Sequence, residues 1–307
     1  MASQPANPER PIVAVIGLGS MGFGMGCSMR RSGLDVIGHD IAQGAVERFV
    51  AEGGRGARTL TEAVRDADIV VSVVVNAAQT EAILFGPEGI ADAMKPAAVF
   101  VSSATMDPAI ARDLSQRLEA LGFHYLDAPI SGGAAKAAKG ELTMMASGTP
   151  QAFVAARPAL DAMAAKVYEL GDDAGTGAAF KMINQLLAGV HIAAACEAIS
   201  FAAKQGLDLE KVYEVITASA GNSWMFENRI PHVLAGDYAP LSAIEIFVKD
   251  LGIVQDMARA ERYPVPLVAA ALQMYLAASG AGMGRDDDSS LARLYAQLSG
   301  AQLPSKA

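Results

Sequence analysis

The segment that most constrains the fold is Val15–Gly26, where a β-branched apolar run leads directly into a glycine-rich stretch. Glycine inside a helix or strand is entropically costly, so its repetition implies a tight turn or a close approach to the backbone. The residues Gly17–Gly22 have the spacing G-x-G-x-x-G. The apolar run before them predicts a buried strand, and the residues after them predict a helix that ends at Gly33. The sequence therefore predicts a strand, a glycine turn and a helix in immediate succession.

A strand, turn and helix with this glycine spacing are typical of the phosphate-binding turn of a dinucleotide fold, where the helix N-terminus faces the pyrophosphate. Asp40, which ends the second predicted strand 21 residues after Gly19, is expected to bind the adenosine ribose hydroxyls. Its charge disfavours a 2′-phosphate and no arginine lies within Ile41–Gln43, so we expect NAD rather than NADP. A glycine turn of another fold, and an aspartate that only caps a turn, are the alternatives.

Predicted strands and helices alternate down to about residue 170, which indicates βαβ units. After Gly175 the sequence predicts only helices, the first of them long, alanine-rich and mostly apolar. The expected fold is α/β, with an N-terminal Rossmann-like domain built on a mostly parallel, doubly wound sheet and an all-α C-terminal domain. We assign 1–10 to a flexible tail, 11–173 to the dinucleotide-binding domain, and 174–301 to an all-helical substrate and oligomerisation domain.

The long predicted helix after Gly175 carries few charges, so we expect it to be buried on all sides, as at a domain or subunit interface. This favours a homodimer or homotetramer. The apolar segment Leu186–Cys196 is too short to span a membrane and contains His191, and the first ten residues lack the apolar core of a signal peptide. A cytoplasmic protein without membrane association is expected.

Composition narrows the class of partner. The chain has 307 residues, is 52% apolar and 19% charged, and so is not expected to be disordered. Its net charge of −9 argues against nucleic acid, which needs a basic face, although a locally basic pocket for a small anion remains possible. Two cysteines and four histidines form neither a disulfide framework nor metal-ligand spacing, so no metal is expected.

Four motifs extend over most of the chain: GLGSMG at Gly17–Gly22, DAPISGG at Asp127–Gly133, GDDAGTGAAFKMIN at Gly171–Asn184 and KDLG at Lys249–Gly252. With them the chain resembles the β-hydroxyacid dehydrogenases, relatives of 3-hydroxyisobutyrate and 6-phosphogluconate dehydrogenases. Two departures are a second-motif isoleucine where valine is usual, and SSATMDP where many relatives have S-T-I-x-P; the latter affects the expected nicotinamide contact at Thr105.

Three further segments are similar to the L-threonate dehydrogenase branch of that family: Val74–Gln79, Gln185–Ala198 and Ala220–Arg229. The resemblance implies NAD-dependent oxidation of L-threonate at C2 to 2-oxo-tetronate, with a small hydroxy acid as the partner molecule. 3-Hydroxyisobutyrate dehydrogenase and tartronate semialdehyde reductase activities are the alternatives within the family. An imine reductase would be expected to lack Lys181. A catalytically inactive cofactor-binding protein would be expected to lack Lys181 or the SGG segment.

Lys181 is the expected general base. It lies in a predominantly apolar helical segment, where burial of a charged amine is costly and should lower its pKa. A lysine that extends to solvent or pairs with a carboxylate is the alternative. Asn184, at i+3, faces the same side of the helix and by resemblance holds the substrate or the lysine. Gln185 at i+4 has less support.

The resemblance also implies the remaining site residues. Ser131, Gly132 and Gly133 are expected to bind the substrate carboxylate, and Lys249, oriented by Asp250, to lie beside nicotinamide and substrate. Ser223, Trp224 and Asn228 are candidates for specificity, with core packing of Trp224 as the alternative. RDDDSS at 285–290 is interpreted as a solvated acidic loop. Cofactor-binding residues are expected to be Gly17, Leu18, Gly19, Ser20, Met21, Gly22, Asp40, Val75, Asn76, Thr105 and Lys249.

Overall fold

The computed structural model describes residues 10–306. The predicted tail lies outside the described residues except for Arg10, whose guanidinium donates to the carbonyl oxygen of Gly33 at 3.0 Å. The described part of the chain forms two compact units, and the first ends at Lys181 while the second begins at Met182. This division falls inside a long helix, whereas the predicted domain boundary precedes that helix.

In the described part of the first unit, six parallel strands form the main sheet in the order β3-β2-β1-β4-β5-β6. The order reverses beside β1, which pairs with both β2 and β4. Such a reversal is where open α/β sheets bind ligands. The strands are β1 Ile12–Ile16, β2 Asp35–His39, β3 Arg55–Gly56, β4 Ile69–Ser72, β5 Val99–Ser102 and β6 His124–Asp127.

Helices cover both faces of this sheet, as predicted. One apolar core joins alternate strand residues such as Val13 and Val15 to α1, α2 and α7. The other joins Ala14 and Ile16 to α3, α4 and α5. The helices are α1 Gly22–Arg31, α2 Gln43–Ala51, α3 Leu60–Val64, α4 Ala77–Phe85, α5 Pro108–Glu119, α6 Gly133–Lys139 and α7 Pro150–Met163. The doubly wound α/β prediction is confirmed.

A second sheet lies within the first unit, and among the described residues it has three strands. They are β7 Ile130–Ser131, β8 Leu142–Ala146 and β9 Ala164–Glu169. The first two are antiparallel and the last two parallel. The sequence predicted strands at β8 and β9 but not their separation from the main sheet. An isolated bridge between Asp127 and Ser147 links the two sheets.

The regular elements in the described residues of the second unit are all helices. Its core contains Phe247 stacked on Tyr275, whose hydroxyl donates to the carbonyl oxygen of Gly189 at 3.0 Å. In the part described, five further α-helices follow the long helix α8 Thr176–Lys204. They are α9 Leu209–Thr217, α10 Trp224–Ala235, α11 Ile244–Ala260, α12 Pro266–Ala278 and α13 Leu291–Ser299. The sequence predicted all of them except α10.

The single chain does not bury α8 on all sides, so the burial expected at a domain or subunit interface is only partly provided within one chain. Ile183, Leu187 and Phe201 are 60%, 49% and 64% exposed. They lie on one face of the helix together with Ala194 and Ala198, which are also exposed. The opposite face packs into the core of the second unit through residues such as Ile192. The helix therefore has a buried face and an exposed apolar face.

Among the described residues, Thr176–Lys204 and Pro266–Met283 are long and apolar enough to cross a membrane, judged by length and composition. The first of these helices is longer than the segment Leu186–Cys196 considered from the sequence. Half of its most apolar stretch is buried inside the fold. The core helix of a soluble protein meets the same criterion, so this feature is a weak indication of a membrane span.

The interpretation of 285–290 as a solvated loop is wrong for four of its residues. Asp287, Asp288, Ser289 and Ser290 are fully buried. The carboxylate of Asp287 accepts hydrogen bonds from the backbone of Leu241 and Ser289, and Asp288 forms an ion pair with Arg229. Consecutive acidic residues usually indicate a solvent-exposed segment, but here the carboxylate oxygens accept hydrogen bonds inside the second unit.

Candidate active site

The ends of the parallel strands bring the candidate cofactor residues to one edge of the main sheet. The strand register aligns His39, Ile16, Ser72, Ser102 and Asp127 across that edge. Since parallel strands end on the same side, the segments that follow four of these residues emerge together. Those segments contain the predicted cofactor-binding residues of the first unit: Gly17, Leu18, Gly19, Ser20, Met21, Gly22, Asp40, Val75, Asn76 and Thr105.

The three glycines of the turn serve different requirements. Gly17 has φ +94°, and a Cβ there would lie 2.6 Å from the carbonyl oxygen of Val73. A Cβ at Gly22 would lie 1.9 Å from the carbonyl oxygen of Gly17. A Cβ at Gly19, in contrast, would have no described atom within 4 Å. The protein backbone itself requires the first and third glycines, while the second borders open space at the start of α1, which a pyrophosphate fits.

Asp40 supports the glycine turn from the next strand. One carboxylate oxygen accepts from the backbone N–H of Leu18 at 2.7 Å, and the other accepts from that of Ala42 at 2.8 Å. Ile41 between them is fully exposed. The side chain therefore fixes the turn, and each oxygen retains a lone pair that a ribose hydroxyl can use.

Val75 and Asn76 lie just past the end of β4, which the structure ends at Ser72, three residues earlier than the predicted strand. Asn76 caps α4 by accepting from the backbone N–H of Gln79 at 2.9 Å, and the amide oxygen of Gln79 accepts from Val75 N–H at 2.8 Å. This reciprocal pair holds the segment at the sheet edge. Thr105 is half-buried in the connection from β5 to α5.

Asp127 joins the main sheet to the helix that carries Lys181. Its Oδ2 accepts from the backbone N–H groups of Gly175 and Ala178 at 2.9 and 2.8 Å, at the N-terminus of α8. Burial raises the pKa of this carboxyl to about 6, against the opposing effect of those backbone hydrogen bonds. Lys181 follows on the second turn of α8 and is only 7% exposed. The sequence motif indicated Asp127 as the start of DAPISGG but not as the cap of this helix.

The SGG segment follows β6 closely and enters the second sheet. Ser131 belongs to β7 and is half-buried, and Gly132 and Gly133 have φ values of +138° and +76°. Both torsions lie in the region that favours glycine. A Cβ on Gly132 would lie 3.0 Å from Cδ of Lys136, so a lysine stem lies over the turn. This nearby cation was not indicated by the sequence.

Four polar side chains form a continuous network within the second unit. Asn184 Nδ2 donates to Gln185 Oε1 at 2.9 Å, and Gln185 Nε2 donates to Asp250 Oδ2 at 2.5 Å. Lys249 Nζ contacts the other Asp250 oxygen at 2.5 Å. Asp250 is 1% exposed and Gln185 is 7% exposed. The expected pairing of Lys249 with Asp250 is present, and Gln185, which had little support from the sequence, is the link to Asn184.

The specificity candidates lie at the start of α10. Ser223 caps this helix by accepting from the backbone N–H of Phe226 at 3.0 Å. Trp224 is 54% exposed, so it is not a core residue of the chain, whereas Phe226 is buried and stacks on Tyr213. Asn228 is half-buried one turn further on. Within residues 10–306, no group of three or more His, Cys, Asp or Glu side chains is arranged to hold a metal ion.

Comparison with known families accounts for both units. Residues 12–171 match the family model of the NAD binding domain of 6-phosphogluconate dehydrogenase. Residues 175–295 match that of the NAD-binding region of NADP-dependent 3-hydroxyisobutyrate dehydrogenase. This chain belongs to the β-hydroxyacid dehydrogenase family. Members of that family oxidise or reduce hydroxy acids with a nicotinamide dinucleotide, and the chain is accordingly an NAD(P)-dependent hydroxy-acid dehydrogenase.

Individual relatives match over nearly the whole chain. An L-threonate dehydrogenase of Cupriavidus necator is 51% identical over 96% of this chain and 98% of its own. An L-threonate dehydrogenase of Escherichia coli K12 is 46% identical over 95% and 96%. The crystal structure of a 3-hydroxyisobutyrate dehydrogenase from Salmonella typhimurium is 48% identical, covers 92% of this chain and 99% of its own, and superposes with a TM-score of 0.88.

Proposed function

We propose that this β-hydroxyacid dehydrogenase oxidises L-threonate at C2 to 2-oxo-tetronate with NAD, in the cytoplasm. Identities of 46–51% to L-threonate dehydrogenases over nearly the full chain carry this proposal. The presence of Lys181, the SGG segment and the polar network of the second unit supports an active enzyme over an inactive cofactor-binding protein. Lys181 also argues against an imine reductase built on the same fold.

Lys181 is the proposed general base. Oxidation of the C2 alcohol removes the hydroxyl proton and a hydride from the same carbon, and the C–O bond becomes a carbonyl. The amine of Lys181 takes the hydroxyl proton and returns it in the reverse reaction. A bound nicotinamide supplies the hydride acceptor. The burial of Lys181 supports this role, because a base must be shielded from water that would compete for the proton.

Asn184 and Lys249 are the proposed substrate contacts of the second unit. The amide N–H₂ of Asn184 is used by Gln185, so its oxygen is available to accept from a substrate hydroxyl or from the ammonium of the protonated base. Lys249 is held by the buried Asp250 and brings a positive charge suited to an acidic substrate. Its proposed place beside the nicotinamide rests on the family motif.

The SGG segment is the proposed carboxylate site. The Ser131 hydroxyl and the backbone N–H groups of Gly132 and Gly133 are donors of the kind that bind an anion. The Lys136 stem over Gly132 adds a positive charge nearby. Ser223, Trp224 and Asn228 are proposed to contact the remaining hydroxyls of a polyhydroxylated acid.

NAD is proposed as the preferred dinucleotide because Asp40 presents a carboxylate where a 2′-phosphate would lie. The glycine turn Gly17–Gly22, with Val75, Asn76 and Thr105, forms the rest of the proposed cofactor contacts of the first unit. Asp40 also accepts from Leu18, so its removal is expected to weaken NAD binding through both the turn and the ribose, whereas NADP binding loses the turn but is relieved of the repulsion of its 2′-phosphate, and the preference for NAD should fall.

The proposed reaction is tested with a panel of acids and both dinucleotides. NADH formation is measured with L-threonate, D-threonate, D-erythronate, 3-hydroxyisobutyrate and L-serine, and tartronate semialdehyde is tested in the reducing direction. The highest kcat/KM is expected for L-threonate with NAD. A higher kcat/KM for 3-hydroxyisobutyrate would instead assign the activity for which the Salmonella protein is named.

The exposed apolar face of α8 supports a homodimer or homotetramer as the working assembly. This face includes Ile183, Leu187 and Phe201, and its exposure to water in a single chain is unfavourable at about 25 cal/mol per Å² of apolar surface. Covering it with a second copy of the chain removes that cost. Soluble assembly of this kind also accounts for a long apolar helix without a membrane.

A further inference from the structure

The acidic segment 285–290 is buried at Asp287 and Asp288, and these carboxylates bind other parts of the second unit. Asp287 binds the backbone of Leu241, Ser242 and Ser289 and so closes the segment onto the connection before α11. Asp288, next to it, is left to face α10. Both carboxylates are fully buried, so each must be satisfied by donors of the protein.

Asp288 binds Arg229 of α10 through two parallel contacts. Arg229 Nε lies 2.5 Å from one carboxylate oxygen and Nη2 lies 3.1 Å from the other. The arginine side chain is 9% exposed and the aspartate is fully buried. This fork fixes the plane of the guanidinium. A buried ion pair is a weak source of net stability, because desolvation offsets the attraction, so stability alone does not account for these two buried charges.

The third guanidinium nitrogen is hydrogen-bonded as well. Arg229 Nη1 donates to Oδ1 of the neighbouring Asn228. The oxygen and the N–H₂ group of a carboxamide lie in one plane and point in different directions from the same carbon, so an oxygen that faces Arg229 turns the N–H₂ group away from it. Asn228 is half-buried, and it therefore presents two N–H donors at a partly open position of α10.

We propose that Asp288 and Arg229 are positioning residues that fix the Asn228 amide as a donor and thereby select substrates with an oxygen acceptor at that place. This rests on the proposed function, in which Asn228 contacts a substrate hydroxyl. The class selected is polyhydroxylated acids. A hydroxy acid with a methyl group at the corresponding place, such as 3-hydroxyisobutyrate, leaves the amide unpaired and binds less well.

The first test changes the donor itself. Asn228→Asp keeps the shape and can still accept from Arg229, but it presents an oxygen in place of the N–H₂ group. The KM for L-threonate is expected to rise about 10- to 100-fold with a smaller change in kcat, the scale of one lost hydrogen bond to a polar substrate. The KM for 3-hydroxyisobutyrate is expected to change less than threefold. Equal loss for both acids would overturn the proposal.

The second test removes the positioning pair while keeping its volume. The double variant Arg229→Met with Asp288→Leu eliminates both buried charges together, which single changes would leave unpaired. Asn228 can then turn over, so the ratio of kcat/KM for L-threonate to that for 3-hydroxyisobutyrate should fall about tenfold, mainly through KM. The matched control is Arg293→Met with Asp286→Leu, a partly exposed ion pair of the same unit at 2.8 Å, which should leave the ratio unchanged.

Folding is checked by the fluorescence of Trp224, the single tryptophan, during urea unfolding. If the double variant fails to fold, the single variants Arg229→Lys and Asn228→Asp are measured instead. The ratio of kcat/KM for L-threonate to that for 3-hydroxyisobutyrate should fall in each of them. A folded double variant with the wild-type ratio would overturn the proposal. If wild type prefers another polyhydroxylated acid, the proposed substrate fails, while the ratio for that acid against its deoxy analogue still tests the positioning role.

Discussion

At the scale of single residues, the three glycines of the turn differ in whether the fold itself has room for a side chain. Gly17 and Gly22 are constrained by backbone atoms within 3 Å of a would-be Cβ, and Gly19 is not. The motif G-x-G-x-x-G does not distinguish the roles of the three glycines. Only the packing around each position shows that the fold itself requires the first and third glycines and not the middle one, which is the proposed point of approach of the pyrophosphate.

Gly19→Ala is therefore expected to fold normally and to bind NAD at least tenfold more weakly, because the added methyl group occupies the space left for the pyrophosphate. Dissociation constants by NADH fluorescence and thermal unfolding measure the two effects. Gly280→Ala, a second position with no atom within 4 Å of the Cβ, is the matched control. Unchanged NAD affinity in Gly19→Ala would show that the cofactor does not approach the turn there.

The role of Lys181 can be tested against the other lysine of its own helix, Lys204. Lys181→Met should lower kcat by about 10²- to 10⁴-fold, the usual contribution of a general base, with NADH binding retained. Lys204→Met changes an exposed lysine at the end of α8 and should have little effect. Near-wild-type turnover by Lys181→Met would refute the assignment of the base.

At the scale of elements, Asp127 sets where the helix with Lys181 begins. Asp127 lies at the end of a sheet strand and is almost completely buried, which is unusual for a charged side chain. It satisfies N–H groups that the first turn of any helix leaves without partners. The same residue starts the segment with Ser131, so a change at Asp127 is expected to affect both the proposed carboxylate site and the position of the proposed base.

The buried carboxyl also predicts a pH dependence of stability. The native pKa of Asp127 is raised to about 6 from 3.8, so between these values the native state binds more protons than the unfolded state. Its contribution to stability is therefore complete below pH 3.8 and is lost as the pH rises through 6. Relative to Asp127→Asn, wild type should lose on the order of 2 kcal/mol between pH 4.5 and 7.

Urea unfolding followed by circular dichroism at pH 4.5, 5.5 and 7 measures this difference. Asp161→Asn, which removes a carboxylate with a 66% exposed side chain from the surface of the same unit, is the control for net charge. A difference between wild type and Asp127→Asn that stays constant across this pH range would contradict the linkage to burial.

At the scale of the whole molecule, the exposed apolar face of α8 is the proposed contact between copies of the chain. Ile183, Leu187, Ala194, Ala198 and Phe201 form a stripe with the periodicity of a helix face. The sequence indicated an apolar helix with few charges, from which burial on all sides at a domain or subunit interface was expected, and the single chain leaves one face of it exposed. A stripe open to solvent in one chain is what a subunit interface requires.

Ile183→Lys combined with Phe201→Lys should therefore convert the oligomer to monomers, because two charges on the stripe would be buried without partners. Light scattering at micromolar concentration measures the mass. Val154→Lys, at a position that is 76% exposed on α7, is the control and should keep the oligomer. A monomeric wild-type chain would refute the role of this face.

The sequence alone determined the alternation of strands and helices in the first unit, the mostly helical second unit, the glycine turn and the family motifs, because periodicity and glycine spacing are local properties. It also indicated Lys181, since a lysine among apolar residues stands out. The tertiary structure decided which polar side chains meet. Asp127 with the start of α8, Gln185 with Asp250, and Arg229 with Asp288 are partners distant in the chain, and no local pattern specifies them. The burial of Asp287 and Asp288 was decided in the same way, because the cost of removing a carboxylate from water depends on the donors that the fold brings to it.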